Sequence, residues 1–131
     1  MISYKSGYKY QLVEDYTVPT DIAGSDIADK YFSLSTVGIL KIKRGYAWDG
    51  PSGGVDTPSF MRPSLVHDVL CQMIAEKLLP SSRQKEADEL LRKLCIEDGM
   101  SKLRAWWVYR AVRFHFRNGA MPQVNPVRTA P

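Results

Sequence analysis

Over residues 8–18 aromatic and β-branched side chains alternate roughly with polar ones, which predicts a half-buried strand ending at Pro19. Residues 20–29 are small and polar and read as a loop. Residues 31–35 and 38–44 flank Thr36 and Val37, and Gly38 can adopt a positive φ, so a short hairpin is expected there. Within it Ile39, Leu40, Lys41, Ile42 and Lys43 partly alternate, giving one face to the core and one to water. The first third is therefore expected to form a small antiparallel sheet. Residues 45–63 hold four glycines and three prolines and read as one long loop, in which Trp48 and Phe60 are the anchoring aromatics.

Beyond that loop the period changes to that of helices. Pro63 suits a first helical turn, and Leu65, Val66, Val69, Leu70, Met73, Ile74 and Leu78 recur at three and four residues. Pro80 blocks continuation. Ser81 followed by Gln84 has the spacing of a capping box for a second helix, with Ala87, Leu90, Leu91, Leu94 and Cys95 on one face and Gly99 as its stop. Ser101 is expected to cap a third helix carrying Leu103, Trp106, Trp107, Tyr109, Ala111, Val112, Phe114 and Phe116, and ending at Asn118-Gly119. The pattern is that of an α+β chain: a domain over residues 1–119 and a proline-rich C-terminal arm over 120–131 with no fold of its own.

Composition adds limits rather than detail. With 131 residues, 44% hydrophobic and 24% charged, the chain can bury a sizeable core and is not of the disordered class. The start lacks the apolar stretch of a signal peptide, and no run is long enough to span a membrane, so synthesis and retention in a cytoplasm are expected. Cys71 and Cys95 match no zinc spacing and read as buried thiols. The net charge of +4 is concentrated in the third helix, where Lys102, Arg104, Arg110, Arg113 and Arg117 face few acids. Nucleic acid is a poor fit as a partner, because no reading motif accompanies the charge.

The chemistry-bearing residues cluster around the loop and the first two helices. His67 shares its helical stripe with Leu70, Cys71 and Ile74, whereas Asp68 is turned about 100° from it. Adjacent in sequence, the two cannot pair with each other and would face different tasks. A histidine base needs an acceptor on its second nitrogen, and Asp88, on the face of the second helix that looks at the first, is the acceptor expected. Stagger of about 6 Å between the two positions, at 1.5 Å per residue, must be absorbed by the helix offset. Asp49 lies in the Gly-rich loop, where carboxylate and carbonyl oxygens suit a hard cation such as calcium. Asp49, Asp68 and the carbonyl of Gly50 form the expected set, with Asp56 in reserve. Trp48, Ser52 and Arg83 are expected to position the loop.

The motifs Gly45-Tyr-x-Trp48-Asp49-Gly50-Pro-Ser52, His67-Asp68, Arg83-x-x-x-Ala87-Asp88 and Ala111-Val112-Arg113 together resemble an uncharacterised domain family of tailed bacteriophages and prophages, over about residues 8–119. Their order is also similar to that of small bacterial calcium-dependent secreted phospholipases. That resemblance implies His67 as the base activating water, Asp88 as its orienting partner, and Asp49 and Asp68 as calcium ligands. It differs in lacking the disulfides of that family and in having Leu70 and Cys71 where an aromatic residue is common.

Two functions follow as expectations. One is a phage or prophage hydrolase acting on a host-envelope ester or amide, made in the host cytoplasm and carried in the virion. The other is a non-catalytic virion or assembly protein docking on other phage structural proteins, or on itself, through residues 120–131. In that second case His67, Asp49 and Asp68 only brace the loop and Asp88 pairs with Arg83 or Arg92. Of Trp106 and Trp107 core packing is the simpler expectation, while an exposed indole such as Trp107 beside Arg110 and Arg113 would mark a protein or lipid interface.

Overall fold

The computed structural model describes residues 4–5, 10–48 and 58–117. Its architecture is α+β, with antiparallel strands first and three helices after them. The strands divide between two small sheets. One has the order β1-β2-β7, formed by Tyr4–Lys5, Tyr10–Leu12 and Ala47–Trp48; the other has the order β3-β6-β5-β4, formed by Tyr16–Pro19, Ile39–Ile42, Phe32–Leu34 and Ile27–Ala28. The single strand expected over residues 8–18 is therefore two. It breaks between Leu12 and Tyr16, where the chain passes from one sheet to the other. The stretch expected to be loop over 20–29 contributes the edge strand β4.

The expected hairpin is present as β5 and β6, with Phe32 opposite Ile42 and Leu34 opposite Leu40. Gly38 turns it with φ of 89°, and a Cβ there would lie 2.6 Å from the Thr20 carbonyl oxygen. In β6, Leu40 and Ile42 are buried and Ile39 and Lys41 exposed, the alternation the pattern demanded. Pro19 ends β3 at the sheet edge, where its missing N–H costs nothing.

The first helix, α1, spans Pro58–Ala75. It starts five residues before Pro63 and stops short of Leu78, so residues 45–63 are not one continuous loop. They contain β7 and the first turn of α1. Pro63 is tolerated inside the helix because it removes a single N–H, the one that would donate to the Ser59 carbonyl near the helix start. The helix is buried nearly all round, as expected of a helix packed on both sides. Met61, Leu65, Val66, Val69, Leu70, Met73 and Ile74 join one core with Leu12, Val18, Phe32, Leu40 and Ile42 from the sheets and with Ala87, Leu90 and Leu94. The end of α1 is made by Lys77, which takes φ of 63° while the amides of Leu78 and Leu79 return to the Met73 carbonyl.

A 3-10 turn at Ser81–Arg83 leads into α2, Gln84–Glu97. No side chain caps this start, so the expected capping box does not form. The second helix ends before Gly99, whose φ of 104° supplies the left-handed turn. The third helix, α3, spans Lys102–Arg117, and Ser101 Oγ accepts the Arg104 amide as an N-cap. Among the described residues no helix is long and apolar enough to cross a membrane.

Candidate functional site

Two aromatic side chains from the Gly45-Tyr-Ala-Trp48 motif fasten the strand region to α1. Tyr46 is fully buried and its hydroxyl donates to Gln72 Oε1 at 2.8 Å; Trp48 is fully buried and its indole N–H donates to Ser64 Oγ at 3.3 Å. Trp48 is thus a core anchor at the entry to the Gly-rich segment. Asp49, Gly50, Ser52 and Asp56 lie outside the described residues.

Deeper in the molecule, α1 and α2 bring His67 and Asp88 together. His67 Nε2 stands 2.6 Å from Asp88 Oδ1, so the axial offset counted along the sequence is absorbed by the way the helices pack. The Asp88 side chain is 0% exposed and that of His67 11%. Asp88 also accepts from Gln84 Nε2 at 2.9 Å on the same oxygen and from Arg113 Nη1 at 2.9 Å on the other. Gln84 and Arg113 donate to the two oxygens, and a carboxylate paired with a guanidinium is an acceptor only, so the hydrogen in the His67 contact is assigned to Nε2. The proton the ring gains or loses is then the one on Nδ1.

The sulfur of Cys71 lies 3.7 Å from both ring nitrogens of His67. Equal distances place it off the lone-pair axis of either nitrogen, which is not the geometry of a cysteine nucleophile and its base. Burial opposes charge on the His67 ring, but the Cys71 sulfur and the Asp88 carboxylate outweigh it, and the ring titrates near 10. At neutral pH it is an imidazolium. The site is therefore a buried carboxylate held between two cations, with Gln84 as the third donor.

Gln84 and Arg113 are the two members that sequence reasoning placed elsewhere. Gln84, expected to close a capping box, is buried and donates to Asp88 and to the Cys71 sulfur; its Oε1 has no hydrogen-bond partner among the described residues. Arg113, expected at an interface, reaches inward from α3. Neither Arg83 nor Arg92 pairs with Asp88. Arg83 binds Glu86 and the Ala23 carbonyl, bracing the sheet side against the start of α2, and Arg92 lies over the Tyr109 ring. The signal for Gln84 was its i,i+4 spacing to Asp88 on the buried face.

Asp68 is half-buried on α1. It is the one member of the expected calcium set within the described residues, and no group of three or more His, Cys, Asp or Glu gathers as a metal cage among those residues. Both cysteines are buried free thiols. Trp106 and Trp107 depart from core packing: they are 38% and 61% exposed, and Leu103 and Phe114 of the same helix are also exposed. The inward face of α3 is made by Ala105 with Val108 and Val112, packed on Leu91, Cys95 and Met100.

Residues 56–112 match the model of a family described as a protein of unknown function (DUF1353). The matched stretch takes in His67, Asp68, Cys71, Gln84 and Asp88 and stops one residue before Arg113. No curated protein and no solved structure matches the chain.

Proposed function

We propose that the chain is a phage- or prophage-type hydrolase of phospholipase class, using His67 as its base on an ester of the host envelope. The observation that carries this reading is the 2.6 Å contact between His67 Nε2 and a fully buried Asp88. Such a contact fixes the tautomer and the ring orientation and leaves Nδ1 as the proton acceptor. In the step proposed, neutral Nδ1 takes a proton from water while the water oxygen adds to the ester carbonyl. The tetrahedral intermediate then expels the alcohol, which leaves with that proton. Asp88 stays ionised throughout, steadied by Gln84 and Arg113.

Calcium belongs to this reading as a proposal. Asp68 is the described residue that would help hold the ion, whose positive charge would polarise the carbonyl, and the work of His67 and Asp88 stands without routing a step through it. The raised titration of His67 adds a requirement: the base form accumulates only as pH climbs toward about 10. Hydrolysis of anionic phospholipid should therefore rise with pH across that range. His67→Ala should lower the rate by about 100-fold or more. The test is a fatty-acid release assay at a series of pH values, with calcium and with chelator, on the wild type, His67→Ala and Asp88→Asn. Absence of wild-type turnover at every pH with calcium present, or equal rates in His67→Ala, sinks the hydrolase.

The second reading is a non-catalytic assembly protein. It is favoured by the saturation of Asp88 with donors from α1, α2 and α3, an arrangement that braces three helices whether or not water is activated. Under it, His67→Ala lowers the melting temperature with no activity to lose, and deletion of residues 120–131 abolishes docking on phage structural proteins or on a second copy.

A further inference from the structure

The third helix has two apolar faces, and among the described residues one of them packs into the core while the other is exposed. Opposite the Ala105, Val108 and Val112 face, Leu103, Trp107, Arg110 and Phe114 follow one another at four, three and four residues and so line one side of the helix. Leu103 and Phe114 are each 68% exposed. Trp106 extends the stripe: its ring meets Trp107 edge-on with centroids 5.0 Å apart, and the Arg110 guanidinium lies 5.7 Å from its centre. Lys102 and Arg104 are exposed on the two flanks, and Lys102–Arg117 contains no acidic residue.

We propose that this outer face of α3 docks on an anionic phospholipid surface. Large apolar and indole side chains bordered by cations match the interface of a bilayer, where indoles sit at headgroup level and guanidinium groups meet phosphates. Charge decides against a second copy: apposing two α3 helices would bring cation against cation with no acid on either to offset it. Binding requires no turnover, so the proposal stands apart from the hydrolase reading.

The test is co-sedimentation of the full chain with phosphatidylcholine vesicles and with vesicles that also contain phosphatidylglycerol, at low and high salt. Binding is expected only to the anionic vesicles, with a blue shift of tryptophan fluorescence, and should weaken as salt rises. Trp107→Ser should lower the partition coefficient by about tenfold and Arg110→Glu by at least about fivefold. Both positions are exposed, and an unchanged melting temperature verifies the fold. Absence of binding, equal binding to both vesicles, or binding untouched by both variants overturns the proposal. So does a Trp107-dependent dimer, or Trp107-dependent retention on polyglutamate, without vesicle binding. Anionic-vesicle binding by both the wild type and His67→Ala, with no lipid hydrolysed by either, would leave this face assigned and remove the hydrolase. Hydrolysis of a dispersed ester without vesicle binding would do the reverse.

Discussion

His67 is the residue whose environment has the plainest thermodynamic consequence. Its folded-state titration near 10 lies above the ordinary value of 6.5, so the folded chain holds a proton there that the unfolded chain has released. The stabilisation is complete below about 6.5 and is lost as pH rises through about 10. Thermal melts across that window should show the wild type losing stability with pH, and His67→Gln should flatten that part of the curve. Arg113→Met tests the other cation. It leaves a carboxylate with no solvent exposure one strong donor short, and a loss of about 3 kcal/mol in a denaturant titration is expected. Cys95 differs from both: burial, with Asp98 nearby adding to it and Arg104 pulling back, pushes its thiol up to about 12. It should resist thiol reagents at neutral pH in the folded chain.

At the scale of elements, two turns make opposite demands on their residues. Gly38 takes a positive φ and has the Thr20 carbonyl where a Cβ would go, so Gly38→Ala should destabilise by about 2 kcal/mol. Lys77 takes φ of 63° at the end of α1 without being glycine. Lys77→Gly should therefore stabilise by roughly 1 kcal/mol, read as a higher denaturant midpoint. The same contrast explains what the sequence made legible. Gly38 and Gly99 advertised their turns, whereas the end of α1 fell on a lysine and was placed late, at Leu78. The break between β2 and β3 was hidden for a related reason: residues 13–15 hold no glycine or proline to mark a turn, and pairing with two different sheets is what separates the strands. Pro63 drew the start of α1 five residues too far along, because a proline reads as a first turn even where the helix has already begun.

At the scale of the whole molecule, the His67–Asp88 contact was legible because both residues lie on faces with a helical period and a short turn makes the two helices neighbours. Arg113 was not, since the angle at which α3 crosses α2 decides which of its cations turns inward, and no spacing records that angle. Arg62 was missed because its partners, Tyr16 and Asp98, lie on two other elements that no local spacing links to α1. Its Nε and Nη2 grip the Asp98 carboxylate at 2.9 and 2.7 Å, while Nη1 donates to the Tyr16 hydroxyl at 2.8 Å, joining sheet, α1 and the end of α2. Arg62→Leu should cost about 2 kcal/mol. A double-mutant cycle with Asp98→Asn should return most of that as coupling.

The bond from Arg113 to Asp88 also governs how the molecule can come apart. Peeling α3 away would take one of the two cations from the buried Asp88 carboxylate and leave it with the Gln84 amide and the His67 imidazolium. A protease nick in the short connection before Lys102 should then yield two fragments that travel together through gel filtration and part only in denaturant.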